Sequence, residues 1–382
     1  MKFIYSTSMN LPDDIYNKFR LFRAQGVGPV IYRKLIEKYG SADVAISEFD
    51  QLNKQYKKKL KVLPKAIIDV ELENLQKMGA TLLYVEDESY PVALQYIHDT
   101  PPFLTVLGDP SLLSKQQVAI VGNRNASIPA MNFTNKIASE LCEKNYVVTS
   151  GLAKGIDGAA HKGALQSGGS TIAVVAGGVD HIYPPEHKSL YHEIAEQGAI
   201  VSEMPLGTVP TQNHFPRRNR IVSGLSLGTF VVEAAKKSGS LITARLAAEQ
   251  GREVFAMPGS PVDHRSSGPN YLLQNGATMV QTVNDIIDNL PKALVGQVVT
   301  PQPSFDFTKV AVSDEKDNAV QSLPENVSSD VFVLSLLSSN PTPLDELIRL
   351  TGYTESQLIS IISILELEGH IHREVSGFVK LL

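Results

Sequence analysis

The segment YVVTSGLAKGIDGAAHKGAL, residues 146–165, decides the fold of this chain. Its first part is a short apolar run that ends in small polar residues and a glycine-rich turn. Its second part has the spacing of a helix. The order of strand, turn and helix is the repeating unit of a parallel sheet with crossover helices, so the segment predicts an α/β fold.

The same pattern recurs along the middle of the chain, from about Val118 to Leu290. Strands are predicted to begin near residues 118, 146, 171, 199, 228 and 253. Nearly all of these runs end in glycine, serine or another small residue. Ligands of open α/β sheets bind at the carboxyl ends of the strands. We therefore expect these terminal residues to share one face of the domain.

Helical segments flank the predicted sheet. In residues 1–82, a helix ends at Gly26, and Pro29 is well placed to begin the next one, which indicates a helix-hairpin-helix. Such a turn can present N–H groups to phosphate or can simply be a turn. Residues 292–327 lack apolar periodicity and predict a flexible linker. Residues 328–382 predict three helices and a hairpin, the outline of a winged helix.

Composition limits the class of protein. A chain of 382 residues is longer than a single hydrophobic core usually organises, so we expect two or three domains. No stretch approaches the roughly 20 apolar residues of a membrane span, so we expect a soluble, cytoplasmic protein. Cys142 is the only cysteine, which excludes an internal disulfide and a cysteine-based zinc site. We expect no metal and no cofactor.

Positive charge is concentrated in one part of an acidic chain. The hexapeptide FPRRNR, residues 215–220, places three arginines beside an aromatic ring. Residues 205–252 carry seven basic side chains against two acidic ones, whereas the whole chain has a net charge of −5. Arginine suits phosphate, and an aromatic ring can stack on an exposed base, so this combination indicates single-stranded nucleic acid. Arginine clusters also serve as ion-pair partners or solvated faces.

Further glycine-rich turns follow other predicted strands. They are VGNR at 121–124, VAGGVDHIYPPEH at 175–187 and EAAKKSGSLITA at 233–244. Neither GxGxxG nor GxxxxGK[ST] occurs, so the usual dinucleotide and P-loop motifs lack their own residues. Several turns able to bind anions at one sheet edge suit a polynucleotide better than a single small cofactor.

Together these motifs resemble the DprA family of DNA-processing proteins, also called Smf. The resemblance spans about residues 90–290 and is carried by TSGLAKGIDGAAHKGAL, GGVDHIYP, FPRRNRIVSGLS, VEAAKKSGSLITARLAAEQGREVFAMPG and SSGPNYLLQNGA. It implies an extended Rossmann-like domain with a parallel-rich sheet at 83–291, flanked by an N-terminal helix-hairpin-helix or SAM-like domain and a C-terminal winged helix. It also implies a non-catalytic homodimer that protects incoming single-stranded DNA and loads the RecA recombinase during natural transformation.

The resemblance also implies where DNA is contacted. The implied positions are Arg124, Ser150, Gly151, Lys154, Phe215, Arg217, Asn219 and Arg220. The residue pattern adds Arg218 from the arginine cluster, and a turn able to contact an anion or cap a helix, formed by Lys237, Ser238, Gly239 and Ser240. The chain departs from the family pattern in VGNR, where VGSR is common, and at Lys154, where arginine is usual. Lysine keeps the charge but loses the fork of donors.

Two other functions match parts of the sequence. Related Rossmann-like folds resemble nucleotide phosphoribohydrolases with a PGGxGTxxE loop, and residues 225–234, LSLGTFVVEA, keep GTxxxE without the glycine pair. A winged helix can also belong to a sequence-specific regulator. The expected recognition helix, ESQLISIISILELEG, has no lysine or arginine, and residues 328–382 carry seven acidic side chains against three basic ones. We therefore expect this domain to contact a protein, or the basic surface of the same chain, rather than DNA.

Overall fold

The structure is a computed structural model that describes residues 11–55, 59–236, 238–291, 329–337, 342–373 and 378–381. The predicted linker at 292–327 and Lys237 lie outside these residues. Within them, the N-terminal domain consists of the helices α1 (Asp13–Arg23), α2 (Pro29–Tyr39), α3 (Ala42–Ser47), α4 (Phe49–Gln55) and α5 (Lys65–Lys77). Pro29 occupies the first turn of α2, and Gly26 has a φ of 86°, a backbone conformation that favours glycine. The predicted hairpin between two helices is confirmed.

A mixed sheet forms the centre of the molecule. Its strands are β1 (Thr81–Tyr84), β2 (Phe103–Gly108), β3 (Gln117–Val121), β4 (Val147–Ser150), β5 (Thr171–Val174), β6 (Ala199–Ser202), β7 (Gly228–Val231), β8 (Glu253–Ala256) and β9 (Thr278–Met279). They are arranged in the order β1-β2-β6-β5-β4-β3-β7-β8-β9. β2 pairs antiparallel with β1 and β6, and the remaining pairs are parallel. The strands predicted near 118, 146, 171, 199, 228 and 253 are confirmed as β3 to β8.

Helices cover both faces of this sheet. They are α6 (Val92–Gln95), α7 (Ile128–Glu143), α8 (Ile156–Gln166), α9 (Lys188–Gln197), α10 (His214–Leu225), α11 (Gly239–Glu249), α12 (Ser267–Gln274) and α13 (Val283–Ile287). Apolar residues of α10 and α11 join one buried cluster, and those of α7 and α8 join another. Cys142 is half-buried on α7, and burial raises the pKa of its thiol to about 11.

The strand order places a crevice at one edge of the sheet. β3 lies between β4 and β7, so the chain proceeds from β3 toward one side of the sheet and later returns on its other side. Such a switch point leaves a gap between the loops that leave the carboxyl ends of neighbouring strands, which is where open α/β sheets bind ligands.

The N-terminal domain packs directly on the sheet. Phe19 and Phe22 of α1 contact Phe103 of β2, with ring centroids 5.1 and 6.0 Å apart. Arg23 is buried at the same junction, where its Nε lies 2.9 Å from Glu71 Oε1 and its Nη1 donates to the carbonyl of Glu203 at 3.1 Å. β1 begins at Thr81, so the domain boundary expected between residues 82 and 83 falls inside a strand.

The C-terminal domain has the winged-helix order of elements. These are α14 (Ser329–Leu336), β10 (Thr342–Pro343), α15 (Leu344–Thr351), α16 (Glu355–Leu367), β11 (Ile371–Arg373) and β12 (Phe378–Leu381). β12 pairs antiparallel with both β10 and β11, and Thr354 and Gln357 form a capping box at the start of α16. The predicted winged helix is confirmed. Across all the described segments, no helix is both long and apolar enough to cross a bilayer.

Candidate functional site

A cavity of about 230 Å³ opens at the carboxyl ends of β3, β4 and β5. The loop after β3 contributes Arg124, and the loop after β4 contributes Gly151 and Lys154. Helix α10 contributes Phe215 and Arg218 from the opposite side. These five sequence-predicted residues, which are up to 94 positions apart in the chain, therefore meet at one place. The expectation that strand-end residues share one face is confirmed.

Aromatic rings and a guanidinium form the rim of the cavity. The half-buried ring of Phe215 lies 5.9 Å from the ring of Tyr183, centroid to centroid, at an interplanar angle of 52°. The guanidinium carbon of Arg124 lies 5.3 Å from the Phe215 centroid, within the range of a cation–π contact. Tyr183 is 43% exposed and was missed by the sequence analysis, although it belongs to the quoted turn that follows the third predicted strand.

Arg218 forms the floor of the cavity. It is only 8% exposed, and its Nη1 donates to the carbonyls of Gly151 and Val174. Burial lowers the pKa of this guanidinium to about 10, while the charge of Asp157 opposes that shift. A Cβ at Gly151 would lie 2.3 Å from Arg218 Nη1, so only glycine admits the arginine here. Arg218 and Gly151 therefore fix the loop after β4, and the expectation that both contact DNA stays a prediction.

Arg220 lies on the buried face of α10 and is 3% exposed. Its Nη2 donates to Glu203 Oε1 at 2.5 Å, its Nη1 donates to the Asp99 carbonyl at 2.5 Å, and its Nε lies 3.2 Å from Asp99 Oδ2. A buried arginine needs such partners, because an unpaired charge in the interior costs several kcal/mol. All three guanidinium nitrogens of Arg220 have partners within the chain, and the expectation that Arg220 contacts phosphate stays a prediction.

The predicted hydroxyl groups face inward. Ser150 Oγ donates to the carbonyl of Ile120 at 2.6 Å, and Ser240 Oγ donates to that of Gly122 at 2.8 Å. Both serines are buried, so they brace the sheet edge and do not line the cavity. Ser238 caps α11 by accepting from Ser240 N at 3.3 Å, the capping role that the sequence analysis left open. Lys237, predicted beside them, lies outside the described residues.

Two further predicted positions lie near the start of α11. Gly239 is exposed, and a Cβ placed on it would meet nothing within 4 Å. Asn219 is half-buried, accepts from Arg218 Nε at 3.1 Å and donates to the Gly239 carbonyl at 3.4 Å. Asn219 therefore connects α10 to the start of α11 and has part of its surface open to solvent.

Arg217 is exposed and lies beside the N-terminal hairpin. It lines a second depression of about 380 Å³ together with Asp99, Arg220 and residues 26–31 of the hairpin. A Cβ at Gly28 would lie 3.8 Å from Arg217 Nη2. Sequence reasoning did not connect the hairpin with the arginine cluster, because residues 28 and 217 come together only when the N-terminal domain packs on the sheet.

Glu233, the acid of the alternative enzyme loop, is enclosed. It is 3% exposed, and its carboxylate accepts from Ser127 N at 2.9 Å and from Ser127 Oγ at 2.6 Å. It therefore holds the start of α7, where a carboxylate also complements the positive end of the helix dipole. No cluster of three or more His, Cys, Asp or Glu side chains able to hold a metal ion occurs among the residues that the structure describes.

Known proteins share these motifs and this architecture. Residues 81–291 match the family described as DNA recombination-mediator protein A, residues 318–377 match the DprA winged helix domain, and residues 12–74 match the DprA-like N-terminal HHH domain. The chain is 36% identical over 347 residues to protein Smf of Escherichia coli (strain K12), a match that covers 91% of this chain and 89% of that protein.

Two solved structures of DNA processing protein A are also similar. The Streptococcus pneumoniae structure has a TM-score of 0.62 at 34% identity and covers 73% of this chain and 98% of that one. The Helicobacter pylori structure, described for its unique single-stranded DNA binding mode, has a TM-score of 0.50 at 33% identity and covers 55% of this chain and 94% of that one. From its three matched domains and the E. coli relative, the chain belongs to the DprA (Smf) family of DNA recombination mediators.

Proposed function

We propose that this protein binds single-stranded DNA across the carboxyl edge of its sheet and loads a RecA-type recombinase onto the bound strand. One observation carries the proposal: two exposed cations, Arg124 and Lys154, line one cavity with the half-buried ring of Phe215, and a third exposed cation, Arg217, follows two residues later on α10 and lines the neighbouring depression. The H. pylori relative, described as binding single-stranded DNA, supports the same ligand.

The cations and the rings would hold different parts of the strand. Arg124, Lys154 and Arg217 present charged donors to phosphates, which supply most of the sequence-independent affinity for nucleic acid. Phe215 and Tyr183 offer aromatic faces on which bases can stack whatever their identity. Stacking requires unpaired bases, so this arrangement favours a single strand over a duplex.

The buried residues position this surface. Arg218 and Gly151 shape the floor of the cavity, and the Arg220–Glu203 pair holds α10 against the rest of the domain. The contact set that we propose for DNA is therefore Arg124, Lys154, Phe215, Arg217 and Asn219, with Tyr183 added and with Lys237, Ser238 and Gly239 at the start of α11.

A salt titration tests the binding proposal. The affinity for oligothymidine and for a duplex of equal length is measured by fluorescence anisotropy at several salt concentrations. We expect a strong single-strand preference and a log–log slope of about −0.7 for each phosphate contacted. Weak binding that does not change with salt would contradict the proposal and favour a small-molecule ligand.

The recombinase step, the homodimer and the cytoplasmic location are part of the same proposal. RecA assembly is followed on oligothymidine that has been coated with a single-strand-binding protein, with and without this chain. We expect faster assembly with it, and a sedimentation mass of two chains. Unchanged assembly kinetics would limit the function to DNA binding.

We also propose that the chain does not catalyse nucleotide hydrolysis. The support is that the nearest counterpart of a catalytic loop lacks its glycine pair and that Glu233 is committed to Ser127. Purified protein incubated with ATP or nucleoside monophosphates is expected to release neither phosphate nor base. Multiple turnover that disappears in Glu233→Gln would establish an enzyme instead.

A further inference from the structure

An ion pair lies at the rim of the proposed DNA site. Lys154 Nζ is 2.5 Å from Glu186 Oε1, and the two side chains are 51% and 59% exposed. Lys154 lines the cavity together with Tyr183 and Pro184, and Glu186 follows two residues after Pro184. The pair therefore connects the loop after β4 with the segment that contributes Tyr183 and Pro184 to the cavity.

The segment that carries Glu186 is fixed beside Lys154 by a second contact. His187 Nδ1 lies 3.1 Å from the carbonyl of Leu152, two residues before Lys154. A Cβ at Gly158 would lie 2.7 Å from the His187 ring, so this histidine packs closely on the first turns of α8. Because this contact does not depend on the ion pair, Glu186 stays close to Lys154 when the pair opens.

Glu186 lies beside Lys154, where the lysine would otherwise attract a phosphate oxygen of bound DNA. Among the residues that the structure describes, those lining the cavity include three cations, Arg124, Lys154 and Arg218, and no carboxylate. Of these cations, Lys154 is the one with a carboxylate oxygen within 4 Å among the residues that the structure describes. The hydrogen bond from Lys154 lowers the pKa of Glu186, so the carboxylate is charged at neutral pH.

We propose that Glu186 competes with DNA phosphate for Lys154 and thereby weakens the binding of single-stranded DNA. This inference rests on the proposed function of the cavity. A carboxylate and a phosphate present the same kind of acceptor to an ammonium group, so DNA must displace Glu186 before Lys154 can bind a phosphate. Lys154 therefore contributes less to the affinity of the wild-type protein than an unpaired lysine at this position would.

The first test replaces the carboxylate with an uncharged group of equal size. Glu186→Gln should bind oligothymidine about twofold to fivefold more tightly, which corresponds to the usual strength of an exposed ion pair. Its log–log salt slope should grow in magnitude, by at most about 0.7, because Lys154 then contacts phosphate in a larger share of the complexes. Glu196→Gln is the matched control: it removes the same charge from an exposed position on α9 and should change neither quantity.

A double-mutant cycle separates competition from a general effect of charge. Lys154→Ala should cost less affinity in the wild-type background than in the Glu186→Gln background, because only the second background leaves the lysine unpaired. Glu186→Ala, which also removes the carboxylate, should reproduce the gain. Equal losses in the two backgrounds, or a gain no larger than that of Glu196→Gln, would overturn the inference. Failure of the wild-type chain to prefer oligothymidine over duplex would overturn the proposed function itself.

Discussion

The two halves of the FPRRNR segment in α10, residues 215–217 and 218–220, both contain arginine, but these arginines lie in different environments. Phe215 and Arg217 lie in the first turn, where the ring is half-buried and the guanidinium is exposed. Arg218 and Arg220 are 8% and 3% exposed. Their donors bind carbonyls and carboxylates that come from other segments of the chain.

This difference shows that an arginine cluster in a sequence can contain two kinds of arginine. The helix turns about 100° for each residue, so neighbouring arginines must point in different directions. Arginines that point inward are stable only where carboxylates or carbonyls accept their hydrogen bonds. Here these acceptors are Glu203, which follows β6, and the carbonyls of Gly151 and Val174. The outward face is the one that we propose for DNA, and the inward face holds that surface in place.

The largest expected effect concerns the inward face. Arg220→Ala leaves the Glu203 carboxylate buried without its cation, which typically costs about 3–5 kcal/mol. Urea unfolding should show a lower free energy of unfolding by this amount. The matched control is Arg217→Ala, whose exposed side chain should change stability by less than about 0.5 kcal/mol. A stable Arg220→Ala variant with a reduced salt slope would instead return Arg220 to the DNA surface.

The next effect concerns the ring at the start of α10. Phe215→Ala should weaken oligothymidine binding by about 1–3 kcal/mol with little change in salt slope, because stacking and not charge is lost. Phe215→Tyr keeps an aromatic face and should retain most of the affinity. The measurement is fluorescence anisotropy at fixed salt. Equal affinity of the alanine variant and the wild type would show that the ring contributes only to packing.

A smaller effect is expected at the exposed arginine. Arg217→Ala should reduce the magnitude of the log–log salt slope by about 0.7, the value for one phosphate contact on a single strand. Arg217→Lys preserves the charge and should preserve the slope. Salt titrations of the three proteins compare these values directly. A slope that is unchanged in a folded alanine variant would remove Arg217 from the interface.

The smallest effect is expected from removal of the winged helix. Residues 328–382 are acidic, and α16 contains no lysine or arginine, so this domain should be repelled by phosphate. Truncation after about Pro291 should leave oligothymidine affinity unchanged, or raise it if the acidic domain competes for the exposed face of α10. A large loss of affinity in a truncated protein that remains folded and dimeric would show that the winged helix contacts DNA.

Much of the fold could be predicted because its signals are local. The strands β3 to β8 are short apolar runs that end in small residues, and the hairpin before α2 has glycine and proline at the required positions. β1, β2 and β9 were missed. β1 and β2 pair antiparallel and lack the strand-to-helix alternation, and β9 has only two residues. Their strand conformation depends on a neighbouring strand that is distant in sequence.

The candidate site was predicted only in part. Glycine-rich turns and a charged cluster indicated the edge of the sheet at which the cavity lies, because parallel strands bring their carboxyl ends together. The pattern did not separate Arg217 from Arg220, or the inward Ser150 from a ligand-facing hydroxyl. Tyr183 was missed because one exposed tyrosine in a turn has no distinctive spacing.

By itself, the sequence determined the α/β pattern, the three-domain order, the family and the concentration of positive charge. Each of these depends on residue type and on spacing within one segment. Only the tertiary structure decided which arginines are buried, which acid pairs with Lys154, and that Arg217 lies beside the N-terminal hairpin. Those outcomes depend on contacts between residues far apart in the chain, since exposure and ion pairing are set by what packs against a side chain and not by its neighbours in sequence.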